Sequence, residues 1–147
     1  MDFQTNAQKE CYEKLVPWMK ELFGVFVTVR DDIPLFSVAV GSAMTQIGVS
    51  AWGDDDATIT VRSYVVTGAE MNAELMKFLL RENDRMRFGA YGLDEDEDIF
   101  FEHTIVGSTC DKEELKASVV AVVMTADDAD DKIVAKWGGQ RAVDRGR

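Results

Sequence analysis

The densest run of reactive groups in the chain is Asp94-Glu95-Asp96-Glu97-Asp98. Aspartates at alternate positions open an EF-hand loop, whose first, third and fifth residues grip calcium. Such a loop also requires glycine at its sixth position and a bidentate glutamate at its twelfth. Ile99 and Ile105 stand there instead. The apolar runs on either side, Met86 to Leu93 and Ile99 to Ile105, have strand character, so the acidic stretch is read as the solvated tip of a hairpin. A second cluster, Asp127-Asp128-x-x-Asp131, has the spacing with which prenyl-diphosphate enzymes hold magnesium and diphosphate from adjacent helical turns. Those enzymes carry two such motifs and this chain has one. The charged outer face of a helix is therefore the first reading, and a small magnesium-dependent enzyme using Asp127 to Asp131 the alternative.

His103 is the only histidine, which excludes catalytic histidine pairs and ordinary zinc sites by count. Its register places the ring on the apolar side of a strand, where a hydrogen-bonded, partly buried imidazole is the plainer role than a general base. Cys110 precedes a helix start whose positive end lowers thiol pKa values, so a Cys110–His103 pair is conceivable, with a structural role the simpler alternative. No glycine-rich phosphate loop follows a strand. These residues assign no catalytic group, no metal site and no cofactor.

The elements that must position these groups follow from periodicity. Thr5-Asn-Ala-Gln8 has the form of a capping box, and Leu15, Trp18, Met19, Leu22 and Phe23 then recur at helical spacing up to Gly24, with Pro17 placed to kink the helix. Val25 to Arg30 is β-branched and aromatic, an edge strand closed by Asp31 to Pro34. From Leu35 to Val66 the period becomes two: Phe36, Val38, Val40; Ile47, Val49, Ala51; Ile59, Val61, Ser63, Val65. Short turns at Gly41-Ser42 and Gly53 to Asp56 make this an antiparallel meander with one covered and one wetter face. Thr67-Gly-Ala-Glu70 reads as a second capping box and Asn83 as the left-handed end of the helix it opens. The hairpin follows. Asp111-Lys-Glu-Glu114 starts a long helix whose stripe is Leu115, Val119, Val122, Ala126, Ile133 and Trp137, stopped by Gly138-Gly139. The expected fold is α+β, in the order α-β-β-β(-β)-α-β-β-α, an antiparallel sheet with helices on one face. One domain spans residues 1–139, and 140–147 form a polar, mobile tail.

This order, with the Leu79-Leu-Arg-Glu-Asn83 helix end, the Phe88-Gly-Ala-Tyr-Gly-Leu-Asp94 and Ile99-Phe-Phe-Glu102 strands, the acidic turn, Thr125-Ala-Asp-Asp128 and Trp137-Gly-Gly139, resembles the YbjN family. That family is similar in fold to the type III secretion chaperones. The resemblance implies a small bacterial cytoplasmic protein regarded as a regulator, with no catalytic residues. The chaperones are homodimers that bind extended segments of partner proteins.

Composition limits the partners. Sixteen basic and 27 acidic residues give a net charge of -11, which repels nucleic acid and anionic lipid. Two cysteines are too few for a disulfide framework, and no basic-then-apolar leader opens the chain, so a reducing cytoplasm is expected. Trp52, Arg62, Tyr64 and Arg81 fall where neither alternation nor helical stripe needs them in the core. They either anchor an interface or seal the sheet's second face against a helix. If that face is open, a second copy of the chain is the simplest cover, which makes a homodimer the expected assembly.

Overall fold

The computed structural model describes residues 1–145. The chain order is α1 (Asn6–Phe23), a 3-10 turn (Gly24–Phe26), β1 (Val27–Val29), β2 (Leu35–Val40), β3 (Ala43–Trp52), β4 (Asp56–Thr67), α2 (Ala73–Arg85), β5 (Ala90–Leu93), β6 (Ile99–Val106), α3 (Lys112–Trp137), β7 (Gln140–Arg141) and a second 3-10 turn (Ala142–Asp144). The seven strands form one sheet in the order β1-β2-β3-β4-β6-β5, with β7 added against β4, and every pairing is antiparallel.

Register decides which side is buried. Phe36 faces Ile47, Ile47 faces Val61 and Val61 faces His103, while Val49, Ile59 and Ile105 line up beside them. Because side chains alternate along each strand, these residues share one face, where Phe36, Ile47, Ile59, Val61 and Phe101 are fully buried. α1 and α3 both pack on that face. Leu15 and Met19 of α1 are fully buried, Tyr12 stacks on Phe36 with ring centroids 5.0 Å apart, and Gln8 Nε2 donates to the Val49 carbonyl at 2.8 Å. The sequence-read stripe of α3 is buried throughout, from Leu115 to Trp137. α2 leans on the β5 edge and on the end of α3, where Phe78 meets Trp137 at 5.1 Å.

Two of the three expected caps are present. Thr5 Oγ1 accepts from the Gln8 amide, although the Gln8 side chain turns to the Gln4 amide and the Val49 carbonyl instead of closing the box. Asp111 caps α3 through the Glu114 amide at 2.7 Å. The Thr67 box is displaced. Thr67 ends β4 as a buried strand residue, and Asn72 caps α2 by accepting from the Leu75 amide at 2.9 Å. The strand wins because a bulge between Tyr64 and Val66 turns both Val65 and Val66 inward and pairs β4 with β7 as well as β6.

Pro17 lies inside α1, which continues to Phe23. Three further boundaries shift. α2 passes Asn83 and ends at Arg85, since Asn83 uses its side chain from within the helix to hold the Tyr91 backbone, accepting from its amide at 2.7 Å. That shortens the strand expected from Met86 to Ala90–Leu93. The segment read as a mobile tail instead pairs Gln140 with Thr67 and Arg141 with Val66, and its last two residues, 146–147, lie outside the described residues. Gly139 permits this return: its φ is +79°, and a Cβ there would lie 2.5 Å from the Thr67 carbonyl oxygen.

The cap assignment is testable. Asn72→Ala should lower stability by about 1 kcal/mol in urea denaturation, because the Leu75 amide loses its acceptor. Equal stability of variant and wild type would move the start of α2 elsewhere.

Candidate functional site: the uncovered face of the sheet

With α1 and α3 on one side, the other side of β2, β3, β4 and β6 has no α-helix over it among the described residues, and only the 3-10 turn Ala142–Asp144 reaches its β3–β4 part. Trp52 is 57% exposed, Met44 50%, Tyr64 36% and Val106 36%. Their strand positions fix this. Trp52 pairs with Asp56 at one end of β3, and Gln46 pairs with Arg62, which pairs with Glu102 on β6. At the centre Arg62 bonds Glu102 and lies over the Phe100 ring at 4.0 Å, while Tyr64 meets the same ring edge-on at 6.0 Å. An arginine clamped by a carboxylate and an aromatic face is held rigid, which suits it to an interface. Thr60 and Thr104 continue the face with hydroxyls 3.3 Å apart. Trp52, Arg62 and Tyr64 therefore share the open side. Arg81 does not: it is exposed on α2, in a cleft with Glu74, Lys77, Phe78, Lys136 and Trp137.

The acidic turn borders this face. Tyr64 donates its hydroxyl proton to Asp94 Oδ2 at 2.9 Å, and Asp94 Oδ1 accepts from the amides of Asp96 and Asp98, each at 2.9 Å. Both carboxylate oxygens of Asp94 are thus committed to shaping the loop. These hydrogen bonds, led by the Asp98 amide, hold its pKa below the ordinary carboxylate value. The ligand atoms of Asp94, Asp96 and Asp98 lie within 4.8 Å of one another, yet the two amide bonds to Asp94 Oδ1 are ones a turn makes for itself, and Oδ2 is taken by Tyr64 of β4.

The aspartates of α3 separate. Asp127 accepts from the amide and hydroxyl of Ser42, at 2.7 and 2.9 Å, and Asp130, buried, also bonds that hydroxyl. Asp128 instead borders a cleft with Phe78 and Tyr91, and Asp131 is exposed, 3.9 Å from Arg141 Nε. The Asp127-Asp128-x-x-Asp131 set therefore does not converge as a magnesium grip. Its first member clasps the β2–β3 turn, where Gly41 leaves room that a Cβ, 2.3 Å from Asp127 Oδ1, would fill.

His103 Nδ1 lies 2.7 Å from Ser118 Oγ, tying β6 to α3, and burial holds its pKa below the usual histidine value. Cys110 donates to the Asp111 carbonyl at 3.3 Å, and burial, then the Glu114 carboxylate, push its thiol up to about 11. That is the opposite of an activated nucleophile.

The arrangement is thus a single antiparallel sheet with the two long helices on one side and an aromatic patch on the other. Residues 12–145 match the family described as T3SS (YopN, CesT) and YbjN peptide-binding chaperone 1, and the chain belongs to that family. Its fold is that of the type III secretion chaperones. It aligns with the crystal structure of the ExsC-ExsE complex at a TM-score of 0.64 and 12% identity, covering 86% of this chain and 95% of that one. It aligns with the HopA1-SchA chaperone-effector complex at 0.60 and 10%, covering 83% and 94%. No functionally curated protein matches the sequence.

The loop geometry makes a prediction. Glu97, at φ +61°, is the described non-glycine residue with positive φ, the position after a tight turn that favours glycine. Glu97→Gly should raise stability by a few tenths to 1 kcal/mol, and millimolar calcium should leave the melting temperature of the wild type unchanged. A calcium-dependent rise that disappears in Asp96→Asn would show that the carboxylates hold an ion.

Proposed function

We propose that this chain is a non-enzymatic peptide-binding chaperone or regulator of a bacterial cytoplasm, and that its client lies as an extended segment on the open face around Trp52, Arg62 and Tyr64. The observation that carries the reading is that face: aromatic side chains left in water while both large helices pack on the opposite side. Membership of a peptide-binding chaperone family supports it. A charge of -11 favours clients with basic residues beside apolar ones. Tyr64 stays a neutral donor over the physiological range, its pKa raised by burial and by Asp94. Among the described residues no helix is long and apolar enough to cross a membrane.

A homodimer belongs to the same proposal. The outward side of α2 exposes Leu80 at 69% and Met76 at 43%, an apolar patch away from the open face. A dimer built there leaves the sheet to the client.

Selection from a displayed library of random 12-residue peptides tests the binding. Selected sequences should combine apolar and basic residues, and Trp52→Glu with Tyr64→Glu should weaken them by at least about tenfold, near 1.4 kcal/mol. Retained affinity in that double variant would move the site off this face. Light scattering at tens of micromolar should give a dimer that survives those changes and dissociates with Met76→Glu and Leu80→Glu. Loss of the dimer in the sheet variant would mean that a second copy, rather than a client, covers the open face.

A further inference from the structure

The end of the chain already occupies part of the open face. After β7 bonds Val66 and Thr67, the 3-10 turn Ala142–Asp144 crosses over, and Ala142 and Val143 border a cleft of about 240 Å³ with Met44, Gln46, Arg62 and Tyr64. Arg141 locks the turn by donating to both carboxylate oxygens of Asp144, at 2.7 and 3.1 Å. Beyond it Arg145 Nη1 donates to Asp98 Oδ2 at 3.2 Å. Those two ends are unequal: the Arg145 side chain is 63% exposed and that of Asp98 only 8%. A carboxylate so withdrawn from water depends on its cation, since an unpaired buried charge is costly.

We infer that residues 140–145 are an internal strap occupying the client groove, and that the groove selects clients of the same chemistry: a small apolar pair on Tyr64 and Met44, with an arginine two residues beyond the second of them to meet Asp98. The inference rests on the peptide-binding reading above and adds to it a register, a charge preference and a competitor. A client must displace the strap and restore the cation that Asp98 loses. An acidic segment fails on the second count, facing Asp94 and Asp98 together. Because the strap is tethered, the groove of the intact chain is open only for the fraction of time the strap is off, and apparent affinity falls by that fraction.

The full chain allows the test. A fluorescein-labelled synthetic peptide of residues 139–147 is titrated against the wild type and against a full-length variant carrying Val143→Asp and Arg145→Glu, followed by anisotropy. The peptide should bind the variant at least about tenfold more tightly than the wild type, and the same peptide carrying both substitutions should bind neither. Arg145 is exposed and Val143 half-buried, and circular dichroism checks that the variant is folded. If it is not, hydrogen exchange on the wild type replaces it, and excess peptide should speed exchange of the Arg141 and Asp144 amides. Equal peptide affinity for wild type and folded variant, or no binding to either, overturns the strap. Library-selected peptides separate the two readings. If they bind both chains equally while the strap peptide binds neither, the strap proposal falls and the chaperone reading stands. If only the strap peptide binds the released variant, the strap stands and the chaperone reading falls.

Discussion

The packing of α3 along β4 and β3 is the interaction on which the remainder depends. α3 is 26 residues long and places Leu115, Val119, Val122, Ala126 and Ile133 on one stripe, all buried. A strand buries alternate residues, so a stripe of that length commits Ile47, Ile59, Val61 and Ile105 to the same side at once. A slip of one residue in β4 would exchange Val61 for Arg62 and Ser63 for Tyr64, placing an arginine and a phenol under an apolar helix. Register is therefore strongly fixed, and so is the composition of the opposite face. The aromatic and charged side chains that the core rejects gather where no helix can follow.

Polar contacts then refine what burial has set. Asp127 holds the β2–β3 turn to the flank of α3, His103 holds β6 to Ser118 of α3, and Gln8 holds α1 to the backbone of β3. Each joins a helix to the sheet, none lies on the open side, and each satisfies a group that burial would otherwise leave costly. Two of the residues that looked like chemistry in the sequence, His103 and Asp127, thus serve the covered side, whereas the acidic turn borders the open one.

Legibility followed the same division. Strong periodicity made the α+β class, the strands from Leu35 to Val66, the stripe of α3 and the placement of Trp52, Arg62 and Tyr64 outside the core readable, because alternation and helical spacing are properties of single segments. What failed was local competition between segments. Thr67-Gly-Ala-Glu70 has every residue of a capping box, and only the partner strands β6 and β7 reveal that Thr67 belongs to a strand. Asn83 suits a left-handed helix end, but the Tyr91 backbone, eight residues on, gives its side chain a better use. β7 was unreadable because its two residues carry no pattern. Gly138-Gly139 marked the turn, and nothing in the sequence marked what the turn brings back. Arg81 was grouped with the sheet residues on composition, yet α2 lies at the sheet's edge and separates it from them.

On the proposed reading, the edges favour side chains on the open face over an edge strand as the seat of a client. β1 has three residues and β5 four, and Gly89 and Gly92 at β5 lie against Phe101 and Phe100 so closely that no larger residue fits without displacing those rings. Short edges offer few unpaired backbone groups, which is how sheets avoid recruiting stray strands. The face has the opposite design. It holds long strands, rigid rings and an arginine whose charge is already matched by Glu102. A client laid there gains contact area against side chains that are ordered beforehand, so little conformational entropy is lost on this side of the contact. Apolar side chains exposed on such a face, Trp52, Met44 and Tyr64, invite association with other apolar groups unless something restrains it. On the proposed reading, the acidic surplus discriminates at long range and the strap of residues 140–145 at short range, since a segment must displace it to enter.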